Sequence, residues 1–259
     1  MTLYAALAFY ALGTLAALAS LFVGTKRMQY AGLMFMIAGF VSHTVWIGTI
    51  CAATGHPPLT NLGEAVSFVA WVVFAVELGL WMRYRVYAAS FFVYPLVLFL
   101  LTVSAVVGEN FVVLGPELRS NLFTAHLLMS TVGVAGLLIG LTFGLVALMQ
   151  DRMLKNKKPG RLWQWIPSLD VCKNLSFRAL AIGFSIYTIG LIAGVLWSYR
   201  TSAGFMDLRA KQIAAVTAWI LFGILLQSYI SNTYRQKRML FVSAGAFIAI
   251  VVAMLGIRG

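Results

Sequence analysis

The chain has 259 residues, of which 61% are hydrophobic and 10% charged, and it carries a formal net charge of +12. A soluble domain is typically about 45–50% apolar and about 25% charged, so this composition excludes an ordinary water-soluble globule. The mean hydropathy of +0.92 points to a lipid-embedded chain.

A helix needs roughly 20 mostly apolar residues to cross the hydrocarbon core. Runs of that length recur along the chain, continuous rather than alternating, which predicts helices and not barrel strands. The expected spans are 2–24, 31–54, 62–82, 86–107, 121–150, 179–200, 213–234 and 239–257. The fold class they predict is all-α: a polytopic membrane helical bundle of about eight transmembrane helices, one domain over 1–259. No low-complexity segment and no internal repeat is legible.

Span one lacks a basic leading segment and is too long for a signal peptide, so it reads as a membrane helix. Lys26 and Arg27 follow it. Span two carries His43 in AGFVSHTVWIG. An imidazole inside a membrane needs a hydrogen bond, a water, a proton or a metal as partner. Cys51 lies near the outer end of this span, and Cys172 lies in the long basic loop further on. They are expected to face opposite sides of the membrane, unpaired, and neither has metal-ligand spacing. His56 is a loop histidine in GHPPLTN.

Span three opens with Asn61-Leu62-Gly63-Glu64, the N-cap and N3 spacing of a capping box. Glu64 is therefore expected to satisfy amides at the helix start, with orientation of an external ligand as the rival role. Glu77 is expected to pair with Arg83 at the other end. Span five carries His126 about one turn from its start, in SNLFTAHLLMSTVG. Residues 151–178 read as a basic loop with a Pro159-Gly160 break and interfacial Trp163 and Trp165. Ser168 is a plausible N-cap for a short helix that leads into span six.

Fourteen of the nineteen Lys and Arg residues fall on one side of this topology. The positive-inside rule places that side in the cytoplasm and both termini outside. The basicity is thus a topology signal and a contact with anionic lipid, not a nucleic-acid surface. No Gly-rich phosphate loop, HExxH or nucleophile elbow is present, so the chain is not expected to be an enzyme.

Three stretches carry a resemblance. GFVSHTVWIGTICAATGHPPLTNLGEAVSFVAW (39–71), FTAHLLMSTVGVAGLLIG (123–140) and IPSLDVCKNLSFRALAIGFSIYTIGLIAGVLWSY (166–199) are similar to the CcsA/HemX-type cytochrome c assembly family. The likeness covers roughly 30–235. It implies haem handled at the outer face, with His43 as a membrane ligand and His126 as an outer one. Imidazole is a standard axial ligand of haem iron. Haem b is the implied cofactor, with Trp46, Trp71, Trp197 and Trp219 lining its cavity and Glu64, Trp71 and Lys211 shaping the site.

The family's tryptophan-rich outer pattern is reduced here to SAGFMDLRAKQIAAVTAW (202–219). Lys211 falls on its lysine, Gln212 on its glutamate and Arg209 on its aspartate, while Asp207 is out of register. Gln227 stands where the pattern has a second membrane histidine, and no second outer histidine follows. The resemblance therefore implies a reduced, HemX-like or YpjD-like member in a cytoplasmic (inner) membrane, accessory to assembly and not a complete synthase. The implied partners are haem, the lipid bilayer and cytochrome c assembly proteins. Two other roles stay open: a regulator that binds a cytosolic tetrapyrrole-synthesis enzyme through 151–178, and a structural subunit of a membrane complex.

Overall fold

The structure is a computed structural model that describes residues 2–84, 90–108, 120–157, 167–201, 210–231, 242, 245–246 and 248–252. Seven helices follow in order: α1 (Thr2–Val23), α2 (Lys26–Thr54), α3 (Leu62–Tyr84), α4 (Ser90–Val107), α5 (Asn121–Lys155), α6 (Leu169–Thr201) and α7 (Ala210–Ile230). All seven are long and apolar enough to cross a membrane. Helical residues at 242, 245–246 and 248–252 fall in the expected eighth span, and Ala246, Ala249 and Ile250 pack into the common core. The chain is a polytopic helical bundle. Arg85, Trp163, Trp165, Asp207, Arg209 and most of the loops 108–120 and 201–212 lie outside the described residues.

Two boundaries differ from the expected ones. Helix α2 begins at Lys26, because Gly24, at φ +70, turns the chain within two residues. Of the stretch read as a basic loop, 151–155 belong to α5 and 169–178 to α6, so the helix after Pro167 is not a separate element. Both extensions are polar turns beyond the hydrocarbon length that hydropathy detects.

Helices α1 and α2 pack along small residues. A Cβ on Gly39 would stand 2.5 Å from the Tyr10 ring, one on Gly13 would stand 2.7 Å from Met36, and one on Gly32 would stand 3.1 Å from the Ala17 nitrogen. Helices α5 and α6 form a longer antiparallel seam. It pairs His126 with Gly194, Ser130 with Gly190, Gly133 with Tyr187, Gly136 with Gly183, Gly140 with Leu180 and Gly144 with Ser176. In lipid no hydrophobic effect drives helices together, so such close backbone approach supplies the dispersion contact that holds them. Ser176 adds a 2.7 Å hydrogen bond to the Gly140 carbonyl.

These contacts reveal a repeat that the residue types conceal. The Trp71 indole on α3 donates to Thr44 Oγ1 on α2 at 2.9 Å and stacks on Phe40. The Trp219 indole on α7 donates to Thr188 Oγ1 on α6 at 2.9 Å and stacks on Phe184. One constant shift carries Phe40, His43 and Thr44 onto Phe184, Tyr187 and Thr188. The same shift carries Gly32, Met36 and Gly39 onto Ser176, Leu180 and Gly183. Their partners on α1 (Ala17, Gly13 and Tyr10) shift together onto Gly144, Gly140 and Leu137 of α5, each of which meets the corresponding α6 residue. Ser67 and Trp71 likewise shift onto Ala215 and Trp219. Helices α1–α2–α3 and α5–α6–α7 thus repeat one pattern of contacts.

Candidate functional site

His43 is fully buried between three helices. Its Nε2 stands 2.7 Å from Ser67 Oγ on α3 and its Nδ1 stands 3.5 Å from the Tyr10 hydroxyl on α1. Tyr10 meets the imidazole edge-on, with Trp46 tilted against it. Both ring nitrogens point at hydroxyls, so the imidazole is held as a satisfied core group. A metal could reach Nε2 only by displacing Ser67. Replacing Ser67 with alanine is expected to destabilise the protein by about 1–3 kcal/mol, because it strips a buried nitrogen of its partner. Thermal unfolding in detergent measures this. In the second instance of the pattern the matching residue, Tyr187, donates its hydroxyl to the Ala215 carbonyl at 3.3 Å.

His126 sits differently. It is half-buried near the start of α5, where Ser120 caps the helix by accepting from the Phe123 N–H at 3.2 Å. Its Nδ1 lies 2.7 Å from the Gly190 carbonyl on α6. A carbonyl only accepts, so Nδ1 carries the proton and Nε2 carries the lone pair. This is the tautomer that a metal-ligating imidazole uses, with its ring fixed by a hydrogen bond from the other nitrogen. The ring lies over Gly194, where a Cβ would come within 2.6 Å. Phe123 and Trp197 pack together at 4.8 Å one helical turn away. A fixed Nε2 lone pair beside apolar rings is chemistry that suits haem.

The remaining candidates are distributed. Glu64 is buried and its Oε2 accepts from the Thr60 N–H at 2.9 Å and from Thr60 Oγ1 at 2.7 Å. The Glu64 N–H donates to Asn61 Oδ1 at 2.9 Å. The expected cap is present, with the Glu64 carboxylate reaching back to Thr60. Trp71 shares the α2–α3 interface with His43 through Thr44. Gln227 lines a cavity of about 480 Å³ between α6 and α7 with Phe184, Trp219, Gly223 and Ser228. Lys211 lies in the first turn of α7, and its side chain is outside the described residues.

The structure brings His43 and Trp71 to one interface. The polar contacts of His43 go to α1 and α3, those of His126 to α6 and to Ser130 of its own helix, and Gln227 faces a third place. Among the described residues no group of three His, Cys, Asp or Glu could hold a metal ion. Cys51 and Cys172 are free thiols. The expected ion pair of Glu77 with Arg83 does not form; Glu77 instead accepts from Ser90 at 3.3 Å. Six residues turn a helix by about 600°, which leaves the two side chains on different faces. Sequence reasoning missed Ser67, Tyr10 and Gly190. A carbonyl partner leaves no trace in residue type, and no local spacing ties a serine on another helix to the histidine.

The family described as "Cytochrome C assembly protein" matches residues 59–259. A "Cytochrome c biogenesis protein CcsA" of Guillardia theta is 25% identical over 100% of this chain and 90% of its own length. Proteins of the same description from Synechococcus sp. (strain CC9902) and Trieres chinensis are 24% and 23% identical. They cover 79% and 92% of this chain and 76% and 86% of their own lengths.

Proposed function

The chain belongs to the cytochrome c assembly family, and on that premise we propose that it is a haem-handling membrane protein that serves cytochrome c assembly. The observation that carries the reading is the His126 imidazole, whose Nδ1 is anchored on the Gly190 carbonyl at 2.7 Å. That bond puts the proton on Nδ1 and the lone pair on Nε2, the nitrogen that would hold haem iron. Bound there, haem would supply iron for ligation, and the chain's own part is to orient the imidazole and shield the macrocycle with Phe123 and Trp197. His43 holds the α1–α2–α3 unit together and becomes a ligand only if Ser67 yields. Glu64 keeps the Thr54–Glu64 turn in place.

The role is accessory and non-enzymatic, because Gln227, Gln212 and Arg209 stand where a complete ligase of this family carries its other functional groups. The setting is a cytoplasmic (inner) membrane, with the basic helix ends inward. Haem b and the other cytochrome c assembly proteins are the partners, in a HemX-like branch. The test is purification from haem-replete cells. A Soret band that co-purifies with the protein supports the reading, and a colourless, folded protein overturns it.

A further inference from the structure

A second polar site lies at the basic end of the bundle, apart from both histidines. Gln29 on α2 is 6% exposed, and neither atom of its amide has a hydrogen-bond partner. It lines a small enclosed cavity of about 10 Å³ with Ala17 of α1, Trp81 of α3, and Ser90 and Tyr94 of α4. That volume holds one water-sized particle. Ser90 also donates to Glu77, whose carboxyl is 3% exposed and forms no ion pair with any Lys or Arg among the described residues.

The neighbouring charges do not compensate it. Lys26 and Arg27 at the start of α2 and Arg83 at the end of α3 are exposed, and Asp151 on α5 is bonded to Lys155 at 2.8 Å. Tyr94 is the titratable group on α4 that lines the cavity, and α1 contributes only Ala17. An isolated carboxylate in a low-dielectric interior is expensive unless its charge is neutralised. An ionisable group inside a membrane is a functional candidate by default. The unpartnered Gln29 amide marks where a small polar occupant fits.

We propose that Glu77, Ser90 and Gln29 form a binding site for one small monovalent cation, a proton or a sodium ion, which enters from the water at the basic end of the bundle. Glu77 supplies the charge, Ser90 links it to the cavity, and Gln29 holds the particle on the far side. The two sources share one chemistry, a single positive charge that offsets a buried carboxylate.

An apolar carbodiimide tests this on the purified full-length chain. Such reagents add to a protonated carboxyl within the membrane and stay attached, so the adduct is read by intact mass and peptide mapping. The chain has only seven acidic residues, which makes assignment direct. The expected result is a single membrane adduct on Glu77 that is absent in Glu77→Gln. Gln29→Leu, which leaves the carboxyl in place, is expected to slow the labelling several-fold where the ion is a proton and to remove the protection by sodium where it is sodium. Protection by sodium over choline identifies sodium as the ion, and labelling indifferent to sodium identifies the proton. No adduct on Glu77, or a rate and a sodium response both unchanged in Gln29→Leu, overturns the proposal. The readout needs no haem, so it is independent of the assembly role.

Discussion

Replacing His126 with alanine is expected to abolish the Soret absorbance of the purified protein, or to lower haem occupancy at least tenfold. The imidazole is the one candidate ligand whose tautomer is fixed with Nε2 as the lone-pair nitrogen, by the 2.7 Å bond from Nδ1 to the Gly190 carbonyl. Loss of the groups that orient a metal ligand typically costs about 10–100-fold, and loss of the ligand itself costs more. His43→Ala is expected to act on a different observable. His43 is fully buried and bonded to Ser67, so its removal opens a cavity and strips two hydroxyls of a partner. Thermal stability should fall, while haem retained by the folded fraction should change less than in His126→Ala. Equal loss of haem per folded molecule in both variants would make His43 a ligand and would require Ser67 to move aside. Absorbance per folded protein, with folding followed by size-exclusion chromatography, separates the cases.

The helical spans were legible because apolar length is a property of composition, and seven of them stand where hydropathy places them. The cap at Asn61 and Glu64 was legible because its partners lie within four residues. The first turns of α2 and α6 were not, since Lys26–Tyr30 and Leu169–Arg178 are too polar to read as membrane. Partners across helices were also hidden. Nothing local says that His43 meets Ser67, or that Gly194 makes room for His126. The repeat escaped for a related reason. What the two units share is register, and within it identity is kept at Phe40 and Phe184, Thr44 and Thr188, Trp71 and Trp219, Gly39 and Gly183, and Gly13 and Gly140. Tyr187 stands at the position matching His43 and Ala215 at that matching Ser67, and the two are joined by the Tyr187 hydroxyl on the Ala215 carbonyl.

Gly183→Ala is expected to be among the most damaging single-methyl substitutions in the bundle. Its added Cβ would stand 2.8 Å from the Leu137 nitrogen, 2.9 Å from the Gly136 carbonyl carbon and 3.0 Å from the Gly133 oxygen. All three are backbone atoms, and none can rotate away as the Met36 side chain can at Gly13. Helices α5 and α6 must separate, and overpacking of this kind costs about 1–3 kcal/mol, occasionally more. A control sits within the same molecule. Gly48 has nothing within 4 Å of an added Cβ, so Gly48→Ala should be neutral or stabilising by up to about 1 kcal/mol through the reduced backbone entropy of the unfolded chain. The seam also positions the haem candidate, because Gly190 and Gly194 continue it to His126. Gly183→Ala should therefore lower both the melting temperature and the haem content, although it touches no ligand. A Gly183→Ala protein as stable as Gly48→Ala would mean that α5 and α6 do not approach as closely as this register requires, and the tautomer argument for His126 would fall with it.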